Sequence, residues 1–207
     1  MTDLAEAGGI REFVRRGVSR ALFEGWTGAL EPSPEWTEQF CDWGDPAAAD
    51  RVRAFLPSEG PVWLQGSAPV AGRLTGGNLE VLEFLKGTPW WPAPERWQGA
   101  VLCLETSEEA PSVTQVTRFL RNYGSQGVLE RAAALLLARP MRYSAEQHWL
   151  LQEAVLRVLA EFGRTDMPVV ANLDFGHTSP QTVLPFGCLA QVDPVRREVV
   201  LLEPGVS

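Results

Sequence analysis

The distribution of apolar residues along the chain predicts buried strands alternating with amphipathic helices. Continuous apolar runs rich in Val, Leu and Ala are typical of buried strands and lie at residues 100–104, 132–138 and 168–171. An apolar residue at every third or fourth position predicts helices at residues 4–24, 79–86, 112–123 and 144–162. The sequence therefore indicates an α/β (α+β) protein.

Shorter apolar segments and turn-forming residues complete this picture. Strands are predicted at residues 63–66 and 70–76, and a terminal β-hairpin at residues 187–193 and 198–203. Residues 25–50 are rich in Pro, Gly, Trp and acidic side chains, which predicts an extended connector with a brief helix at residues 47–55. We expect a mixed β-sheet with packed helices and a C-terminal β-hairpin.

Composition excludes several classes of function. The formal net charge is −8 and Lys and Arg form no basic run, so we expect no nucleic-acid partner. Residues 1–6 are polar and acidic, unlike a secretory leader, and no apolar run is long enough to span a bilayer. We expect a cytoplasmic protein that has no membrane partner. The cysteines are too scattered for a disulfide framework or a zinc site, at Cys41, Cys103 and Cys188.

Two residues with acid–base chemistry follow buried strands. Glu105 comes directly after residues 100–104, and His177 lies in a turn that Gly176 allows after residues 168–171. Functional side chains in α/β proteins gather at the carboxyl ends of strands, so we expect both at one edge of the sheet. A histidine base and a carboxylate that orients it are two-thirds of an acyl-transfer triad. The alternative for His177 is a solvated turn histidine.

The sequence offers no convincing nucleophile for such a triad. Ser125 lies between glycines, as in a nucleophile elbow, but no apolar strand precedes it. Ser67 and Ser179 have no helix beginning behind them. His148 falls within a predicted helix, where packing or surface exposure explains it better than a catalytic role.

A glycine pair precedes the helix predicted at residues 79–86. Gly76, Gly77 and Asn78 could bring backbone N–H groups close to an anion or an oxyanion. A plain turn between a strand and a helix explains the same residues, and it is the favoured alternative.

Several motifs, in the same order along the chain, resemble the LD-carboxypeptidase family of serine peptidases. They are residues 72–79 (Gly-Arg-Leu-Thr-Gly-Gly-Asn-Leu), 87–88, 101–109, 174–178 (Asp-Phe-Gly-His-Thr) and 184–187. Tryptophans in residues 36–43, 63–66 and 90–92 resemble the aromatic insertion of the microcin C self-immunity branch. The resemblance covers nearly the whole chain.

The resemblance implies roles for individual residues. His177 would be the catalytic base and Glu105 its orienting carboxylate, with Glu109 the less favoured candidate for the second role. The family implies no metal and no cofactor. It also implies a substrate-binding set of Asn78, Gly77 and Trp63.

The resemblance also implies a domain organisation. The family's serine lies in an amino-terminal α/β domain, and the resemblance implies that this whole domain would lie upstream of Met1. Residues 1–25 would be a helical remnant of that domain, residues 26–60 a connector rich in Trp and Pro, and residues 61–207 the C-terminal domain. Three explanations would account for a chain that holds the base and the acid without the serine. In order of preference they are a truncated longer protein, a split gene, and a short protein that lost catalysis.

The implied activity is hydrolysis of the C-terminal amide of a murein peptide or a peptidyl-nucleotide. Alone, the chain would be inactive because its serine partner domain is missing, and the family resemblance suggests a homodimer. The alternative is a non-catalytic binding module, or a half that completes a partner's active site.

Overall fold

The computed structural model describes residues 2–5, 8–40, 44–45 and 50–206. Cys41, Trp43 and the first part of the helix predicted at residues 47–55 lie outside these residues. Residues 50–55 form no helix, so that prediction is wrong where it can be compared. Their side chains and backbone bind other segments instead, since Arg53 forms an ion pair with Asp3 and the N–H of Ala54 donates to Gln39.

The strands form one large sheet and one small pair. In chain order they are β1 (Gly28–Ala29), β2 (Glu35–Trp36), β3 (Leu56–Pro57), β4 (Val62–Gln65), β5 (Val70–Asn78), β6 (Val101–Glu105), β7 (Ala134–Ala138), β8 (Val169–Leu173), β9 (Leu189–Asp193) and β10 (Glu198–Leu201). The large sheet has the order β1-β10-β9-β5-β6-β7-β8-β4, and β2 pairs with β3. Strands β5 to β8 are parallel and the other pairs are antiparallel, so the predicted mixed sheet and terminal hairpin are confirmed.

Five α-helices lie within the described residues: α1 (Glu12–Leu22), α2 (Leu79–Leu85), α3 (Val113–Ser125), α4 (Val128–Arg131) and α5 (Ala145–Glu161). Helices α3 and α5 each begin with a capping box, from Ser112 and Ser144 respectively. Helix α1 is shorter than predicted because Gly9 has a φ of +87°, which interrupts a helix. Residues 2–5 and 94–97 are short 3₁₀ helices.

The core lies on both faces of the parallel strands. Leu102 and Leu104 of β6 pack in the cluster that includes residues of α3 and α5, whereas Val101 and Cys103 pack in the cluster on the other face. Side chains alternate along a strand, so Glu105 continues the face of Val101 and Cys103. The carboxyl end of β6 therefore presents a carboxylate on the face opposite α3 and α5.

Asn78 ends β5 directly beside Glu105, because these two residues are partners in the parallel β5–β6 register. Among the described residues, no helix combines the length and the apolar character that crossing a membrane requires.

Candidate active site

The structure brings His177 and Glu105 together at the carboxyl end of β6. The Nδ1 atom of His177 lies 2.6 Å from Oε2 of Glu105. The glutamate side chain is 11% exposed and the histidine side chain 37%, so the pair lies at the surface with its carboxylate largely covered. This geometry fixes the ring orientation and directs Nε2 away from Glu105.

Gly176 allows this close approach. Its φ is +89°, a conformation that favours glycine, and a Cβ atom added there would lie 2.8 Å from Oε2 of Glu105 and 2.9 Å from its Cβ. A larger residue at position 176 would therefore push the turn away from the carboxylate.

A second carboxylate contacts the other nitrogen of the ring. Oε2 of Glu108 lies 3.1 Å from Nε2 of His177. Only the folded turn after β6 reveals this contact. Glu109, the alternative orienting residue, forms no ion pair with His177 in the described structure.

The turn that carries Glu108 is fixed by Glu80 of α2. The backbone N–H and the hydroxyl of Ser107 both donate to Oε1 of Glu80, at 2.9 and 2.7 Å. The hydroxyl oxygen of Ser107 in turn accepts from the N–H of Glu109 at 3.2 Å. Glu80 thus adds a third negative charge near His177.

These carboxylates raise the pKa of His177 above its ordinary value of 6.5. The hydrogen bond to Glu105 is the largest cause, partial burial opposes it, and the charges of Glu105, Glu108 and Glu80 add to it. A raised pKa favours the imidazolium. The neutral ring, which can accept a proton, therefore predominates only above this raised pKa.

Glu108→Gln is expected to lower the pKa of His177, because it removes a negative charge that stabilises the imidazolium. Any activity that needs the neutral ring would then persist to lower pH. The measurement is an NMR titration of the imidazole of His177. Glu109→Gln is the matched control and should leave the pKa unchanged. Equal shifts in both variants would show a general surface-charge effect and contradict the specific contact.

Asn78 and Gly77 lie at the junction of β5 and α2. The Oδ1 atom of Asn78 accepts from the N–H of Val81 at 2.9 Å, so its side chain caps α2. Gly77 has a φ of +143°, and an added Cβ would meet only Leu82, at 4.0 Å. The end of β5 needs glycine at 77 for its backbone conformation, and the space above it is open.

Trp63 lies away from this group. It is on β4 opposite Val170 of β8, and its ring packs against the apolar cluster of Val101 and Cys103. Strands β7 and β8 separate β4 from β6. At about 4.8 Å for each strand spacing, the backbone of Trp63 is about 14 Å from β6.

The three candidate serines also lie elsewhere. The hydroxyl of Ser125 donates to the carbonyl of Arg121 within α3, and the hydroxyl of Ser179 accepts from Arg53 at 2.8 Å. Ser67 is in the bend between β4 and β5. In the part of the chain that the structure describes, none of them bonds to His177, and no group of His, Cys, Asp or Glu residues could hold a metal ion.

His148 is a packed residue of α5. Its ring makes an edge contact with Tyr143 at 6.0 Å between centroids, and burial lowers its pKa.

Known proteins are similar to this chain in sequence and in fold. A family model described as the LD-carboxypeptidase C-terminal domain matches residues 71–192. The putative carboxypeptidase slr1534 of Synechocystis is 31% identical over 173 residues, which cover 79% of this chain and 50% of that protein. The microcin C7 self-immunity protein MccF of Escherichia coli is 27% identical over 142 residues, which cover 69% of this chain and 40% of MccF.

A solved structure of an MccF-like protein from Streptococcus pneumoniae in complex with AMP superimposes with a TM-score of 0.76 and 28% identity. The match covers 92% of this chain and 57% of that one. The chain spans about half the length of the curated relatives that it matches. Because the family model matches more than half of its residues, the chain belongs to the LD-carboxypeptidase family through that family's C-terminal domain.

Proposed function

We propose that this chain supplies the base and the orienting acid for serine-dependent hydrolysis of a C-terminal amide. The observation that carries the proposal is the 2.6 Å contact between Glu105 and Nδ1 of His177 at the end of a central strand. A carboxylate on Nδ1 fixes the tautomer that leaves Nε2 free to accept a proton, and it stabilises the imidazolium that forms.

In the proposed reaction, Nε2 of His177 accepts the proton of a serine hydroxyl as the serine oxygen attacks the amide carbonyl carbon. The imidazolium then gives that proton to the leaving amine as the C–N bond breaks. Water, activated by the same nitrogen, hydrolyses the ester and releases the serine. Glu108 must give up its contact with Nε2 before the serine can bind there.

The serine, in this proposal, belongs to a domain outside these residues. The relatives are about twice as long as the matched region, and the family model begins at residue 71. We propose residues 1–25 as part of that other domain, 26–60 as the connector and 61–207 as the C-terminal domain. The isolated chain is then inactive. A homodimer is a further prediction of the family resemblance.

The proposed substrate is a murein peptide or a peptidyl-nucleotide. The family name supports a peptide with a D-residue at its carboxyl end. The AMP bound by the pneumococcal protein and the immunity role in the name of MccF support a nucleotide-bearing amide. In either case the bond broken is an amide, which is the bond that the histidine and serine chemistry described above cleaves.

The test is to place an affinity tag at the carboxyl end of this chain in its own host and to purify every polypeptide that carries or accompanies it. The purified material is assayed on a murein tetrapeptide and on an aminoacyl sulfamoyl adenosine, and it is treated with a fluorophosphonate that labels active serines. We expect hydrolysis of one substrate, labelling of a serine outside this chain, and no hydrolysis by the isolated 207-residue chain.

Two results would contradict the proposal. One is hydrolysis that survives His177→Ala. The other is ligand binding without turnover by the complete purified material, which would support a non-catalytic binding module instead.

A further inference from the structure

Two opposite charges are buried at the base of the His177 turn. Arg139 comes directly after β7 and Asp174 directly after β8, and their side chains are 2% and 3% exposed. Nη2 of Arg139 lies 2.9 Å from Oδ1 of Asp174. Removing two charges from water is costly, and apolar residues of similar volume often stabilise a fold at least as well. Stability alone therefore does not explain the pair.

Arg139 holds the end of β8 in an unusual conformation. Its Nε atom donates to Oδ1 of Asn172 at 2.9 Å. Asn172 has a φ of +61°, which few residues other than glycine adopt. The Nδ2 group of Asn172 also donates to the carbonyl of Gly60 at 2.7 Å. The chain therefore leaves β8 in a direction that Arg139 and Gly60 fix.

Asp174 closes the loop that contains His177. Its backbone carbonyl accepts from the N–H of Thr182 at 2.6 Å, so residues 174 and 182 form the base of the loop. Its Oδ2 atom accepts from the N–H of Ser33 at 2.8 Å. His177 lies three residues after Asp174 within this closed loop.

The same pair connects the loop to residues 33–36 and 56–58, which contain β2 and β3. Arg139 donates to the hydroxyl of Ser58 at 3.1 Å, and its guanidinium lies 5.0 Å from the centre of the Trp36 ring. With the bond from Ser33 to Asp174, three positions in these two stretches contact the pair. The placement of these stretches and the placement of the loop thus depend on the same two side chains.

We propose that Arg139 and Asp174 are positioning residues for His177, which set the loop of residues 174–182 so that the imidazole reaches Glu105, and which couple this placement to residues 33–36 and 56–58. Neither residue contacts the imidazole. The inference rests on the proposed role of His177 as base. Its test, however, requires no turnover.

The test is an NMR titration of the histidines of this chain, which has only two, His148 and His177. In the unmodified chain we expect a hydrogen-bonded Nδ1 proton on His177 and a pKa above 6.5. Asp174→Asn should abolish the Nδ1 proton signal and lower the pKa of His177 toward 6.5, because the imidazolium loses its hydrogen bond to Glu105. His148 should keep its lowered pKa, which depends on burial and therefore shows that the chain is folded.

Arg139→Lys is the second variant, because lysine keeps the charge but lacks the planar guanidinium that donates to Asn172 and Ser58 and forms the ion pair with Asp174. Arg139→Lys should also weaken the Nδ1 proton signal and lower the pKa of His177, but less than Asp174→Asn does. If Asp174→Asn does not fold, Arg139→Lys provides the test. Arg121→Lys, at the exposed pair with Glu161, is the matched control and should change nothing.

Folded variants at both positions that keep the pKa and the Nδ1 signal of His177 would overturn the proposal and leave the pair a purely structural role. The failure of the proposed function gives a different result. In that case the titration shows the expected change, but the tagged material purified from the host hydrolyses neither substrate.

Discussion

His177→Ala is expected to lower kcat on the order of a millionfold in the complete serine-containing enzyme, because it removes the group that accepts and then returns the proton. KM should change much less, since the imidazole acts on the serine and the leaving group. The measurement is steady-state kinetics on the tagged material from the host, with circular dichroism to show that the variant is folded.

Glu105→Gln should cost about ten thousandfold in kcat, because an amide at 2.6 Å from Nδ1 no longer favours the required tautomer or the imidazolium. Glu109→Gln is the control and should retain nearly full activity. If Glu109→Gln lost as much as Glu105→Gln, the orienting role would belong to Glu109, and the geometry at Nδ1 would not be that of the working enzyme.

Gly76→Ala is expected to destabilise the fold by about 3–5 kcal/mol. Gly76 has a φ of +148° and pairs with Cys103 of β6 in the parallel register. A Cβ atom at this position would overlap the carbonyl oxygen of Cys103 and lie 2.9 Å from its backbone N. Backbone atoms in a central strand pair cannot move aside as a flexible side chain can. Urea denaturation monitored by tryptophan fluorescence measures the loss.

Gly163→Ala is the control that measures the cost of a positive φ at alanine without the steric overlap that an added Cβ meets at position 76. Gly163 has a φ of +70°, but nothing lies within 4 Å of an added Cβ. This variant should lose only about 1 kcal/mol, from the left-handed backbone conformation alone. A similar small loss for Gly76→Ala would show that β5 and β6 are not as closely paired as described.

Much of the sheet follows from local sequence pattern. Residues 101–104 and 134–138 are apolar without interruption because parallel strands are buried on both faces. Such a run can be recognised in the sequence without knowledge of any tertiary contact. The beginning of α1 was predicted too early. The apolar periodicity predicted a helix through the glycines at positions 8 and 9, but Gly9 adopts a positive φ, which a helix does not allow.

The candidate site was only partly predictable. Glu105 and His177 each follow a buried strand, so their position at one edge of the sheet could be predicted from the order of elements. The contact of Glu108 with Nε2 could not, because it depends on how Ser107 binds Glu80 in a turn between distant elements. A substrate-binding role for Trp63 stays a prediction, and the sequence alone could not show that two strands lie between β4, which carries Trp63, and β6.

The sequence by itself determined the long strands, the main helices and the family, because these depend on local periodicity and on motifs in a fixed order. The tertiary structure alone decided which carboxylate meets which nitrogen of His177, and that Arg139, at the end of an apolar run, would be buried against Asp174. The physical reason is that such contacts require angles and distances set by strand register and turn conformation, which join residues far apart in the chain. Glu105 and His177, for example, are 72 residues apart.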